Sequence, residues 1–108
     1  MKFKILLFAS AVAVTSCNQD DNAECVDDRI ANFGNEICEE GATVKRYSFQ
    51  ENTVYVIHPG NCVVDGADEV IDSDCETLGY VGGFGGATDI NGENFFQNAT
   101  LEATVWEN

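Results

Sequence analysis

The spacing of apolar and polar positions divides the chain into one amphipathic helix followed by several strands. Over residues 24–33 the apolar positions recur with helical periodicity, and the stripe continues a little beyond. The stripe consists of Val26, Ile30, Phe33 and Ile37. Asp21 or Asn22 is suited to cap this helix at its start, and Gly34 is suited to end it.

Four later segments have the residue types and the alternation of β-strands. They cover residues 43–50, 53–57, 69–72 and 100–106. The polar break at residues 51–52 predicts a hairpin between the first two, and the breaker residues 58–60 end the second strand. The order of elements predicts an α+β domain in which one N-terminal helix packs on an antiparallel β-meander of about four strands. An all-β sandwich is the alternative, and it requires residues 24–37 not to be helical.

The segment of residues 78–92 is unusual because six glycines are interleaved with the aromatic residues Tyr80 and Phe84. Glycine adopts positive φ without a steric penalty, so the segment is typical of tight turns whose aromatic side chains fold onto the core. It also suits a loop that presents Tyr80 and Phe84 to a glycan or a protein. We predict Tyr80 to be partly buried beside the third strand and Phe84 to be exposed at the loop tip. Asn91-Gly92 predicts a separate hairpin turn.

The beginning of the chain has the pattern of a secretory signal peptide. Lys2 and Lys4 precede an apolar run over residues 5–14, which is too short to span a bilayer. The ending Val-Thr-Ser-Cys17 resembles a bacterial lipobox, in which the cysteine becomes the lipidated first residue of the mature protein. We therefore predict a signal peptide at residues 1–16, lipidation of Cys17, an acidic tether at residues 17–23 and a folded domain at residues 24–108. The alternative is an ordinary secretory signal with an incidental cysteine.

Four further cysteines are predicted to form two disulfide bonds. They are Cys25, Cys38, Cys62 and Cys75. An even number of cysteines in a small exported domain favours disulfides, because such a domain buries too little surface to be very stable without them. Three pairings are possible, and we favour the sequential one, which closes two equal short loops. A zinc site is disfavoured because close cysteine pairs are absent.

The chain is strongly acidic, with 19 Asp and Glu residues against five Lys and Arg residues and a formal net charge of −14. Removing residues 1–16 takes away two lysines and no acid, so the charge becomes −16. Such a surface repels phosphate backbones, which disfavours a nucleic acid as partner.

The sequence contains no evident catalytic constellation, and we predict no cofactor and no resident metal. His58 is the sole histidine, and we interpret it as a residue on the surface or at a rim. A weak calcium site around Asp65, Asp68, Asp72 and Asp74 is an alternative, although the spacing lacks the glycine and the closing glutamate of an EF-hand loop.

Several motifs occur in order along residues 24–107. They are Val44-Lys45-Arg46-Tyr47-Ser48-Phe49-Gln50, Thr53-Val54-Tyr55-Val56, Pro59-Gly60-Asn61-Cys62, Asp65, Cys75, Leu78-Gly79, Gly82-Gly83, Gly86, Ile90-Asn91-Gly92, Phe95 and Trp106. Together they resemble a domain of unknown function found in small lipoproteins of Bacteroidota. The resemblance implies a lipoprotein address and a shared fold, and it implies no activity.

The acidic stretch at residues 18–22 also resembles the export signal of surface-exposed lipoproteins of that group. This resemblance implies a lipid-anchored location at the outer membrane and on the cell surface, with the periplasmic face as the alternative. We therefore predict a monomeric, membrane-anchored module that binds a protein or a glycan without catalysis, with Tyr80 and Phe84 as candidate binding residues. A calcium-dependent or hydrolytic component of the cell envelope is the alternative function.

Overall fold

The structure is a computed structural model that describes residues 22–63 and 66–108. The predicted signal peptide, Cys17, most of the predicted tether and Asp65 lie outside these residues. In chain order the elements are α1 (Glu24–Ala31), a 3₁₀ turn (Gly34–Glu36), β1 (Thr43–Phe49), β2 (Asn52–His58), β3 (Asp68–Asp72), β4 (Thr77–Val81), β5 (Asp89–Ile90), β6 (Glu93–Asn94), α2 (Phe95–Asn98) and β7 (Thr100–Glu107). Within the part of the chain that the structure describes, no helix is long and apolar enough to cross a membrane.

Five strands form one antiparallel sheet with the order β4-β3-β2-β1-β7. Strands β1 to β4 make a meander, and β7 returns to pair with the other edge of β1. The short strands β5 and β6 form a separate hairpin around Asn91-Gly92, as that dipeptide predicts. The mostly antiparallel fold with a helix and two disulfides is confirmed in coarse form. The strand number is corrected, because the described residues contain seven strands instead of about four.

The β1–β2 hairpin turns one residue earlier than predicted. Phe49 pairs with Asn52, so the two-residue loop is Gln50-Glu51, and these residues have φ angles of 54° and 66°. Positive φ at both loop positions matches the twist of the flanking strands, which outweighs the usual preference for glycine or asparagine there.

The two faces of the sheet carry two separate cores. The core on the α1 side is formed by Val26, Phe33, Val44, Tyr55, Ile57 and Ile71. The core on the opposite side is formed by Phe49, Val54, Val56, Val70, Val81, Ile90 and Phe95, which come from the sheet, the β5–β6 hairpin and α2. Burial on both faces explains why β2 has four consecutive buried residues instead of an alternation.

Helix α1 is shorter than predicted and starts without the predicted side-chain cap. It ends at Ala31, and its N-cap residue is Ala23, with no capping side chain. The backbone N–H of Ala23 instead donates to the hydroxyl of Tyr55 at 3.1 Å, which ties the start of the helix to the sheet. Phe33 remains part of the core and packs on Trp106 with ring centroids 5.4 Å apart.

The structure joins Cys25 to Cys75 and Cys38 to Cys62, so the favoured sequential pairing is wrong. The Cα atoms are 6.1 Å and 5.7 Å apart, within the usual range for disulfides. The reason is the path of α1 along the sheet. It starts beside the turn that follows β3, and the chain then reaches the other end of the sheet, where the N–H of Cys38 donates to the carbonyl of Pro59 at 2.7 Å.

Candidate functional site

Phe84 occupies a tight turn beyond the end of β4. The turn is closed by the N–H of Gly86, which donates to the carbonyl of Gly83 at 3.2 Å. The N–H of Gly82 donates to the carbonyl of Ala87 at 2.7 Å and so joins the two sides of the turn. Phe84 is 88% exposed, so its ring projects from a short, hydrogen-bonded turn.

Tyr80 lies within β4, where it pairs with Glu69 of the third strand. It is 54% exposed. Tyr80 borders a depression of about 130 Å³ on the α1 side of the sheet, which Arg29 also lines. Arg29 contacts carboxylate oxygens of Glu36 and Glu69, each at 2.8 Å.

The charged side chains beside Tyr80 form ion pairs and hydrogen bonds with one another. Burial alone would raise the pKa of Glu69, but hydrogen bonds from Arg29 and Thr77, together with the charge of Arg29, lower it overall. The hydrogen bond to Glu69 raises the pKa of Arg29 despite the opposing effect of burial. This network therefore serves to hold α1 on the sheet and to frame Tyr80.

A second depression lies on the sheet face opposite α1, and we call it the polar cleft. It measures about 280 Å³ and is lined by Thr43, Lys45, Tyr47, Val56, His58 and Asp68. The hairpin register brings these residues together, since Thr43 lies opposite His58 and Lys45 lies opposite Val56. Phe95 covers the same face next to the cleft and contacts the ring of Tyr47 with centroids 5.2 Å apart.

His58 and Asp68 form a hydrogen-bonded pair within the polar cleft. Nδ1 of His58 lies 2.8 Å from Oδ1 of Asp68, and the two side chains are 43% and 31% exposed. A hydrogen bond at Nδ1 orients the imidazole and leaves Nε2 as the ring nitrogen for a ligand. His58 is therefore a rim residue, as predicted, but it has a carboxylate partner that its sequence neighbours do not indicate.

Lys45 and Tyr47 contribute the other polar groups of the cleft. Arg29 and Arg46 both form salt bridges, whereas Lys45 has no carboxylate partner within 4.0 Å among residues 22–63 and 66–108. Burial raises the pKa of the Tyr47 phenol, and the negative charge of Asp68 raises it further. The hydroxyl of Tyr47 thus keeps its proton at neutral pH and can donate a hydrogen bond.

Two of the acidic residues considered for calcium, Asp68 and Asp72, have other roles. The carboxylate of Asp72 accepts the backbone N–H groups of Asp74 and Glu76, each at 2.9 Å, and so shapes the turn after β3. Asp68 holds His58. The described parts of the chain, on either side of residues 64–65, contain no group of three or more His, Cys, Asp or Glu side chains placed to hold a metal ion.

Lys45 and Tyr47 were not predicted to lie beside His58, although the sequence contains a signal for this placement. A two-residue turn places odd-numbered residues of β1 on the same face as even-numbered residues of β2. The predicted turn at residues 51–52 keeps this parity, so it already puts Lys45 and His58 on one face. Asp68 gave no such signal, because the loop between β2 and β3 does not determine a register.

The family described as Domain of unknown function (DUF6970) matches residues 31–108. The chain belongs to this family. The DUF6970 match begins at the last residue of α1 and includes the complete sheet, the polar cleft and the Phe84 turn. The searches of curated proteins and of solved structures found no match. The family assigns no activity to this chain, and function depends on the geometry of a site more than on the fold that carries it.

Proposed function

We propose that this chain is a lipid-anchored extracytoplasmic module that binds a glycan without converting it. The observation that carries the proposal is the position of two exposed aromatic residues, Tyr80 and Phe84, at the same end of the sheet as the polar cleft. Aromatic rings offer large apolar faces on which the C–H groups of a sugar can pack, and polar groups in a cleft bind its hydroxyls.

The contacts between strands support placing the Phe84 turn beside the cleft at one end of the sheet, whereas Tyr80 lies at the same end on the opposite face. Asp68 of the cleft pairs with Val81, the last residue of β4. The Phe84 turn follows directly, and a β-carbon on Gly83 would lie 3.0 Å from the backbone nitrogen of Ala67. The turn therefore packs against the chain segment that leads into Asp68.

The direction of α1 supports a binding end that faces away from the proposed lipid anchor. Cys25, near the start of α1, is bonded to Cys75, which lies in the turn after β3. Arg29, one turn later, reaches Glu69 near the first residue of β3. The tether would thus join the domain at the far end of β3 from Asp68, about 13 Å away for a strand of this length.

The binding proposal is tested by replacing Phe84 and Tyr80 with alanine, singly and together. We expect Phe84→Ala to weaken binding to surface or extracellular polysaccharide by about tenfold, because truncation of an aromatic contact residue commonly costs more than 1 kcal/mol of binding energy. Phe96→Ala is the matched control, since Phe96 is 61% exposed but lies in α2. Equal binding by the Phe84 and Phe96 variants contradicts the aromatic site. Retention on a purified protein but on no polysaccharide shows that the partner is a protein and overturns the glycan assignment.

The anchor is tested separately, by changing Cys17 to serine in the complete precursor. We expect the variant to lose labelling by a fatty-acid probe and to leave the membrane fraction, because the thiol is the acceptor of the lipid and stable anchoring requires more than one acyl chain. Continued partition of the variant with the membrane contradicts the lipobox interpretation.

A hydrolytic component of the cell envelope is the second candidate function, and the His58–Asp68 pair favours it. In many enzymes the imidazole that acts as a general base is oriented by a hydrogen-bonded carboxylate, as His58 is by Asp68. Incubation with envelope polysaccharides, followed by mass spectrometry for new chain ends, separates the two candidates. Products that disappear in a His58→Gln variant favour hydrolysis, whereas an unchanged polysaccharide favours binding alone.

A further inference from the structure

The polar cleft has the donors and acceptors for a specific class of ligand. We infer that it binds a small carboxylate that also carries hydroxyl groups, which is the chemistry of an acidic sugar unit. This inference rests on the proposed glycan binding and deepens it, but it depends on Lys45, Tyr47, His58 and Asp68 and not on the exposed aromatic residues.

Lys45 provides the reason to expect a carboxylate. Acidic residues greatly outnumber basic ones in this chain, and both described arginines are bonded to glutamates. Lys45 has no carboxylate partner within the residues that the structure describes. An anion can therefore pair with its ammonium group without displacing an ion pair to any described residue, and charge-assisted hydrogen bonds of this kind are stronger than neutral ones.

The rest of the cleft matches hydroxyl groups. Oδ1 of Asp68 is engaged by His58, and Oδ2 has no donor among the described residues, so it is free to accept a hydroxyl. Nε2 of His58 and the protonated hydroxyl of Tyr47 supply further hydrogen-bonding groups. Val56 provides an apolar side chain beneath them.

The size of the cleft limits the ligand to about one sugar unit. Its volume of about 280 Å³ lies just below the range of ordinary small-molecule sites, roughly 300–1,000 Å³. A longer glycan would therefore place a single acidic unit in the cleft and extend over the neighbouring surface, where Phe84 projects.

Glucuronate and glucose are suitable probes because they differ at one position, a carboxylate in place of a hydroxymethyl group. Binding to the mature domain is measured by calorimetry and by NMR shifts of Tyr47 and Val56, at about 0.15 M salt so that repulsion from distant acids is screened. We expect glucuronate to bind at least about tenfold more tightly than glucose, because a hydrogen bond to a charged group contributes that much or more.

Lys45→Met is expected to reduce glucuronate binding to the level of glucose, and Lys45→Gln gives the same test if the methionine variant does not fold. Arg46→Met is the matched control, because it removes the same charge from the next residue in the chain. Arg46 contacts Glu102 on the other face of β1 and does not line the cleft. Equal affinity for the two sugars, no binding of glucuronate, or equal losses in the Lys45 and Arg46 variants overturns the inference.

The test also separates this inference from the proposed aromatic site. Phe84→Ala should leave the affinity for glucuronate unchanged while it weakens binding of the polysaccharide. Two results together support the cleft and contradict the aromatic site: glucuronate binding is lost in the Lys45 variant, and polysaccharide binding is unchanged in the Phe84 variant.

Discussion

Removing either disulfide should destabilise the domain by a large fraction of its total stability. The bond between Cys25 and Cys75 spans 50 residues, and the bond between Cys38 and Cys62 spans 24 residues. The chain-entropy relation gives about 4 kcal/mol for the first and about 3.5 kcal/mol for the second, because the entropy of the unfolded chain rises with the logarithm of the closed loop. A small domain has about 5–15 kcal/mol in total, so loss of both bonds should leave it largely unfolded.

The magnitudes are measured by urea denaturation of two double variants, Cys25→Ala with Cys75→Ala and Cys38→Ala with Cys62→Ala. Both cysteines of a pair are replaced so that no free thiol can exchange with the remaining bond. Far-ultraviolet circular dichroism follows the unfolding, and the fully reduced wild type completes the series. A reduced domain with an unchanged urea midpoint refutes the entropic argument.

The pairing itself is tested by proteolysis without reduction. Trypsin cleaves after Arg29, Lys45 and Arg46, so one fragment carries Cys25, the next carries Cys38 and the C-terminal fragment carries the other two cysteines. The observed pairs keep all three fragments joined, whereas sequential pairs release the C-terminal fragment. A second cleavage at Glu69, between Cys62 and Cys75, distinguishes the remaining alternative.

Two further predictions concern stability. Phe95→Ala should lower the free energy of unfolding by about 3–5 kcal/mol, because Phe95 is 2% exposed. Phe84→Ala should change it by no more than about 0.5 kcal/mol, because Phe84 is on the surface. Equal losses in thermal or urea unfolding contradict this division between core and surface. Glu69→Gln should destabilise the domain at neutral pH, because the folded state lowers the pKa of Glu69 and so favours its ionised form. The difference from the wild type should disappear as the pH falls from the ordinary glutamate pKa of 4.5 through the lowered pKa, where the carboxylate is protonated. A difference in unfolding free energy that is independent of pH contradicts this account.

The parts of the fold that the sequence predicted correctly depend on local patterns. The alternation over residues 43–57 defines the first hairpin, and Asn91-Gly92 defines the second. Strand β4 was missed because the glycines of residues 78–92 suggested a series of tight turns. In the structure, a β-carbon at Gly79 would lie 2.7 Å from Cδ1 of Ile90. This glycine thus permits the β5–β6 hairpin to approach the sheet, and a close approach between distant segments leaves no local pattern.

The disulfide pairing could not be predicted for a similar reason. Equal loop lengths favour the sequential pairs, but the direction of α1 across the sheet decides which cysteines meet. That direction depends on the apolar stripe of the helix and on contacts such as Arg29 with Glu69. These contacts join residues far apart in the sequence, so spacing between cysteines does not report them.

The two disulfides hold opposite ends of the domain, and this arrangement bears on the proposed site. Cys25–Cys75 fixes α1 to the turn after β3, at the end where the tether would enter. Cys38–Cys62 fixes the start of the loop that leads from His58 to Asp68. The side chain of Asn108 strengthens that end, because it donates to the carbonyl of Cys38 and accepts the N–H of Ala42, each at 2.9 Å. Since His58 and Asp68 come from the two sides of this loop, restricting its start favours the geometry in which their side chains meet.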